Sequence, residues 1–201
     1  MAMTVKKLAL VLMIGLSLCL ATQAAAAPIA IAGVTASDTF YTYDSINLIN
    51  GSGLSGGLHD GLWPHKWLAN GSSAWLVFDL GSVYNVAFAS VWNYGPGCCG
   101  ADRSVKDLAV FSSINGVNYT PVGSYVLSLP TTDPFGADVI EIATSARYIR
   151  FDLNSNYGEP MYIGLSEVQF EGGGSTVPEP ASLLLFGTGL VGLRAWRKRR
   201  P

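Results

Sequence analysis

Cys98 and Cys99 stand side by side in the segment Asn93-Tyr94-Gly95-Pro96-Gly97-Cys98-Cys99-Gly100, whose glycines and proline mark a loop. In an oxidising compartment such a thiol pair tends toward a disulfide. Two neighbouring residues can close only a small strained ring, which persists where surrounding structure enforces it, often at a site. Aromatic residues flank the same loops: Trp63, Trp67, Trp92 and Tyr94. Flat rings stack on the apolar C–H faces of sugars while polar neighbours take the hydroxyls. Trp63 and Tyr94 are expected to be exposed, Trp67 and Trp92 to belong to the core. Nucleophilic chemistry is not supported. Gly53-Leu54-Ser55-Gly56-Gly57 fits G-x-S-x-G in form, but a nucleophile elbow needs a strand before it and a helix after it, and this stretch reads as a loop. Only His59 and His65 could act as base, with no acid partner to name, and with Asp60 they match no zinc spacing. No catalytic residue is assigned, and the chain is read as not an enzyme.

The two ends place the cysteines outside the cytoplasm. Lys6 and Lys7, the apolar run Leu8 to Leu20 and the small residues Ala24 to Ala27 follow the order of a secretory signal, with cleavage expected after Ala26. Cys19 belongs to that apolar run. At the other end, Gly172 to Thr176 is a flexible linker by composition. Pro178-Glu179-Pro180 follows, then an apolar segment from Ala181 to Leu193, then Arg194, Arg197, Lys198, Arg199 and Arg200. The apolar segment is marginal for a stable span, and its basic end should stay in the cytoplasm. This tail resembles a PEP-CTERM sorting signal. The resemblance implies recognition by an exosortase-type processing enzyme, transient residence of a C-terminal helix in the inner membrane, removal of the tail, and release to the envelope, surface or exterior of a Gram-negative cell that often makes exopolysaccharide. The expected division is signal peptide 1–26, domain 27–171, linker 172–177 and sorting segment 178–201.

Seven of the 12 basic residues lie in the two end segments. The middle keeps Lys66, Arg103, Lys106, Arg147 and Arg150 against thirteen of the 14 carboxylates, a distinctly acidic domain that argues against nucleic acid as partner. Its pattern is β. Alternation and aromatic or β-branched content predict strands over 74–80, 83–92, 105–111, 147–153 and 163–170. Asn115-Gly116 predicts a tight turn, and Gly51 to Gly61 a long loop. Arg147 and Arg150 are expected on one face, paired with carboxylates, and Tyr148 on the other.

Five segments taken in order resemble a discoidin domain, the coagulation-factor C-type module of the galactose-binding-like jelly rolls. They are Ala74 to Gly81, Asp102 to Leu108, Ser112 to Tyr119, Ala146 to Phe151 and Gly164 to Phe170. The implied fold is all-β, a discoidin-like jelly-roll β-sandwich flanked by an N-terminal signal helix and a C-terminal apolar sorting helix. In many such relatives a structural calcium is held by an Asp in an Asp-Gly turn, by loop carbonyls and by a Glu near the last strand. Asp60, followed by Gly61, and Glu167 stand at those places, so one structural Ca2+ is expected there, although His65 replaces the commoner hydroxyl residue. The cysteine loop is similar to the binding loop of the fucose-binding lectins of this superfamily, where a Cys-Cys disulfide packs on the sugar and arginines bind its hydroxyls. Cys98 and Cys99 match, and Arg103 matches with one extra residue of spacing. The lectin Arg three residues before the pair is Gly95 here, and the Asp just before it is Gly97.

These readings converge on an exported, non-catalytic carbohydrate-binding module of the cell surface or exopolysaccharide matrix. Cys98, Cys99, Trp63 and Tyr94 would supply apolar contact to the glycan, and Arg103, Asn93 and His65 the polar contacts. The alternative is a structural matrix or surface protein that uses the domain for protein contact.

Overall fold

The computed structural model describes residues 26–97 and 99–174. The expected signal and sorting helices, the Pro178-Glu179-Pro180 motif and Cys98 lie outside the described residues. Ten strands are present: β1 (Ala27–Ile29), β2 (Gly33–Ala36), β3 (Leu54–Ser55), β4 (Leu58–His59), β5 (Trp67–Asn70), β6 (Ala74–Asn93), β7 (Asp107–Ser113), β8 (Thr120–Val126), β9 (Asp138–Leu153) and β10 (Tyr162–Gly174). Among these residues no helix is long and apolar enough to cross a membrane.

The main sheet runs β1-β10-β6-β9-β7-β8, with β2 added to β6 and β5 to β10, and every pairing is antiparallel. Two predicted strands, 74–80 and 83–92, are one strand, β6. Its register against β9 slips between Asp79 and Tyr84 and again between Val86 and Phe88. Such bulges bend a strand and let one hydrogen-bonded network roll around a single core. Leu76, Phe78 and Leu80 point inward from β6, and Ile149, Phe151 and Leu153 from β9. The rings of Phe78, Phe151 and Phe170 meet edge-on, with centroids 5.2, 5.4 and 6.1 Å apart. Burial of each such ring is worth roughly 2–3 kcal/mol. Trp67 and Trp92 are buried, as expected.

Three sequence expectations change. The 51–61 stretch is not all loop, because β3 and β4 pair within it. Strand β9 begins at Asp138, well before Arg147. Tyr148 and Arg150 share the outer face while Ile149 points inward, since a period of two puts 148 and 150 together. The arginine partners are carboxylates: Arg147 donates to both oxygens of Asp79 at 2.9 and 3.0 Å, and Arg150 to Asp152 at 2.6 Å. The turn at Asn115-Gly116 is present. The Asn115 side chain accepts from the amides of Val117 and Asn118, and Gly116 has φ +73°.

Strand β10 fixes the polarity of the molecule. Its first residues, Tyr162 to Leu165, pair with β5, whereas Phe170 to Gly172 pair with β1. At about 3.3 Å per residue the centres of these two stations are about 25 Å apart. Strand β1 and the last residues of β10, to Gly174, therefore lie away from the Tyr162 end.

Candidate functional site

The loops following β5's approach, β6 and β9 gather at the Tyr162 end. Asn93, the last residue of β6, ties them together. Its Nδ2 donates to the carbonyls of Val105 (2.7 Å) and Ser128 (3.0 Å), and its Oδ1 accepts from the amides of Tyr94 (3.0 Å) and Val105 (2.8 Å). Four bonds exhaust an amide side chain, and the group is buried. Asn93 therefore builds the loop and has no capacity left for a ligand, contrary to the expected polar contact.

Tyr94 departs from expectation as well. It is 0% exposed, where an accessible stacking ring was expected. The Lys66 ammonium, equally buried, sits 4.1 Å from its ring centroid and donates to the Gly95 carbonyl at 2.8 Å. The Tyr94 carbonyl accepts from the Ser104 hydroxyl. The Tyr94 ring thus forms the floor of the loop rather than its surface.

Trp63 is 50% exposed, as expected. It opens a one-turn 3-10 helix, Trp63–His65, whose Pro64 suits a first-turn position. Its ring lies edge-on to Tyr43 at 6.2 Å. From there a line of rings continues: Tyr43 to Phe40 at 6.2 Å, and Phe40 to Tyr162 at 4.7 Å. The Arg103 guanidinium covers Tyr162 at 4.8 Å and faces Glu159 at 3.7 Å. The Tyr43 hydroxyl is 3.9 Å from the Cys99 sulfur. Trp63, Cys99 and Arg103 are therefore brought to one end of the molecule, around rings that sequence reading did not single out. Phe40, Tyr43 and Tyr162 lie far apart in the chain and carry no local motif. The one signal was the aromatic density of Phe40-Tyr41-Thr42-Tyr43.

His65 closes the 3-10 helix that Trp63 opens. Its Nδ1 donates to the Asp60 carboxylate at 2.9 and 3.1 Å. Burial pushes the Asp60 carboxyl up, but the His65 and Leu62 hydrogen bonds outweigh it and hold it below its ordinary value. His59 is wholly buried, and burial holds its imidazole below the ordinary value. Its Nδ1 bonds the Asp60 carbonyl and its ring tilts against Phe135 at 5.7 Å. Ser55 ends a two-residue strand in the β3–β4 hairpin, without the strand-to-helix turn of a nucleophile elbow.

Glu167 is 2% exposed, and burial drives it up to about 7 against the opposing Gly51 amide and Gln169 side chain. It lines a cleft of about 510 Å³ together with Ile29, Ile31, Ile49, Asn50 and Gly51. Among the described residues no group of three or more His, Cys, Asp or Glu is placed to hold a metal ion. Asp60 and Glu167 are each engaged by protein donors, Asp60 by His65 and Leu62 and Glu167 by the Gly51 amide.

Two glycines explain why the lectin pattern is incomplete. A Cβ on Gly95 would lie 1.9 Å from the Phe135 ring, and one on Gly97 would lie 1.7 Å from the Gly61 carbonyl oxygen. The space that an Arg and an Asp would need is already filled, by an aromatic core residue and by the Asp60-Gly61 turn.

Comparison with known proteins agrees with this architecture. Residues 33–168 match the F5/8 type C domain, and residues 176–200 match the PEP-CTERM protein-sorting motif. No curated protein relative matches the chain. The fold is similar to that of CBM32-3 from a family 31 glycoside hydrolase from Clostridium perfringens, with TM-score 0.56, 15% identity, and coverage of 71% of this chain and 91% of that one. It is similar to the family 32 CBM of C. perfringens NanJ in complex with galactose, at 0.56 and 12%, covering 73% and 98%. A Streptococcus pneumoniae fucose binding module gives 0.53 and 17%, covering 72% and 94%. These likenesses are of fold. The family match spans well over half of the sequence, around the same core, and the chain belongs to the F5/8 type C domain family.

Proposed function

We propose that this protein is an exported, non-catalytic glycan-binding module, sorted to the cell surface or the exopolysaccharide matrix by an exosortase-type system. One observation carries the reading: a half-exposed Trp63 set edge-on to Tyr43, with Cys99 and Arg103 close by, at one end of a jelly roll. Trp63 and Tyr43 offer the apolar surface for a sugar C–H face. Arg103 and His65 supply donors to hydroxyls. An oxidised Cys98-Cys99 pair would add a rigid apolar ridge next to Tyr43. Solved modules of the same fold that hold galactose or bind fucose support the reading. Gly95 and Gly97 argue against the fucose-lectin residue set.

The sorting motif starts at residue 176, two residues after β10 ends at Gly174, and Gly174 is at the end of that strand opposite Tyr162. A domain held by that tail would present the aromatic end outward, away from the inner membrane. A single shallow site binds weakly, so retention in a matrix would rely on many copies.

A glycan array probed with the purified chain tests the proposal. Binding to a defined set of glycans, lost in the Cys98→Ala, Cys99→Ala double variant with the fold retained, supports it. Absence of binding to any neutral or acidic glycan at about millimolar ligand sinks it and favours a matrix protein that contacts other proteins.

A further inference from the structure

A buried ammonium is rare, because stripping it of water costs several kcal/mol unless its donors are matched. Lys66 is 0% exposed and is matched by the Gly95 carbonyl at 2.8 Å and the Tyr94 ring at 4.1 Å. Its own carbonyl accepts from Asn47 Nδ2 at 3.0 Å. Lys66 thus joins the segment before β5 to the loop that carries Cys99 and Arg103. Two further ties run through the neighbouring residues. His65 Nδ1 is bonded to Asp60, and the Gly61 amide donates to Asp133 at 2.8 Å. Gly61 and Gly97 then pack backbone to backbone.

Calcium would make the same kind of junction with six to eight oxygen ligands. Here both Asp60 oxygens face the His65 imidazole, and Oδ1 also accepts from the Leu62 amide at 3.2 Å. The Asp60 carbonyl is taken by His59. Glu167 accepts from the Gly51 amide at 3.2 Å. The three Asp60 oxygens and one Glu167 oxygen are thus committed to protein donors.

We infer that this chain holds its loop end without calcium, with the buried Lys66 ammonium and the His65–Asp60 pair as the internal donors that position the Cys99–Arg103 loop. Lys66 is a positioning residue, since it reaches the loop from beneath. The inference does not rest on glycan binding and can fail or stand independently of it.

The purified full chain decides the metal question by melting temperature in excess calcium and in excess chelator, with bound metal measured by elemental mass spectrometry. The expected result is the same melting temperature in both and no stoichiometric calcium. A chelator-induced fall that calcium restores, or one tightly bound calcium per chain, overturns the inference. Lys66→Met tests the positioning role by hydrogen exchange. Amides of residues 94–104 should exchange at least about tenfold faster than in the native chain while β7 and β9 stay protected. Unchanged protection of 94–104 refutes the role. If Lys66→Met does not fold, Lys66→Arg, which keeps the charge, should fold and retain protection at 94–104. Its loss of protection with an intact core would also contradict the role.

Discussion

Gly97→Ala is the sharpest perturbation of this loop, because one methyl group is asked to enter occupied backbone space. The glycine lies in an exposed loop, where exposure alone would suggest tolerance. The contact says otherwise. A Cβ there would stand 1.7 Å from the Gly61 oxygen, 2.2 Å from its carbonyl carbon and 2.6 Å from its Cα. Ordinary carbon contacts lie near 3.5 Å, so one backbone must retreat by roughly 1.5–2 Å. Gly61 cannot retreat freely, since its amide is held by Asp133 at 2.8 Å and its own side is walled by Gly97. Overpacking of this kind costs about 3 kcal/mol, which in a domain of this size lowers the melting temperature by about 6–12 °C. Thermal unfolding followed by circular dichroism measures it. Gly33→Ala is the control, because a Cβ at Gly33 meets nothing within 4 Å and its backbone is not left-handed. A Gly97→Ala melting temperature within about 1 °C of Gly33→Ala would refute the packing reasoning and reopen position 97 to the lectin Asp.

Asn93→Ala should destabilise by about 3 kcal/mol or more, because two buried amides and two carbonyls lose their partner at once; chemical denaturation reads this as a lower midpoint with an unchanged slope. Glu167 gives a pH signature. Its folded value is about 7 against an ordinary 4.5, so between those values the folded state keeps a proton that the unfolded state has released, and stability falls as pH rises. The span amounts to roughly 3 kcal/mol. Glu167→Gln should abolish that slope and gain on the native chain up to about pH 7; parallel pH profiles of the two proteins would show the carboxylate ionised throughout.

Much of the fold was legible because period-two patterns are local. Leu76, Phe78 and Leu80 announce a buried strand face without reference to any other segment, and Asn115-Gly116 announces its turn. What stayed hidden depends on distant pairs. Nothing near residues 79–84 signals that two strand-like stretches are one bulged strand, since the bulge is set by pairing with β9. The start of β9 at Asp138 was masked by the polar pair Thr144-Ser145. At the site, Trp63, Cys99 and Arg103 were named from composition and resemblance, but their aromatic neighbours Phe40, Tyr43 and Tyr162 come from opposite ends of the chain. Tyr94 and Asn93 were misjudged for one physical reason: a polar or amphipathic residue beside a glycine-rich loop reads as exposed until its partners are seen. For Tyr94 the partner is a lysine, a residue type seldom buried, and for Asn93 it is the backbone on both sides of the loop.

The measurement that bears most directly on the central claim is a glycan titration of the native chain beside Trp63→Ala, using the best ligand from an array screen. Trp63 is half-exposed, so its loss should leave the melting temperature nearly unchanged. Removing the stacking surface should weaken glycan affinity by about tenfold or more, the equivalent of about 1.4 kcal/mol. A native chain that binds no glycan, or a Trp63→Ala chain that binds as tightly as the native one, would contradict a carbohydrate site at the Trp63–Tyr43 end.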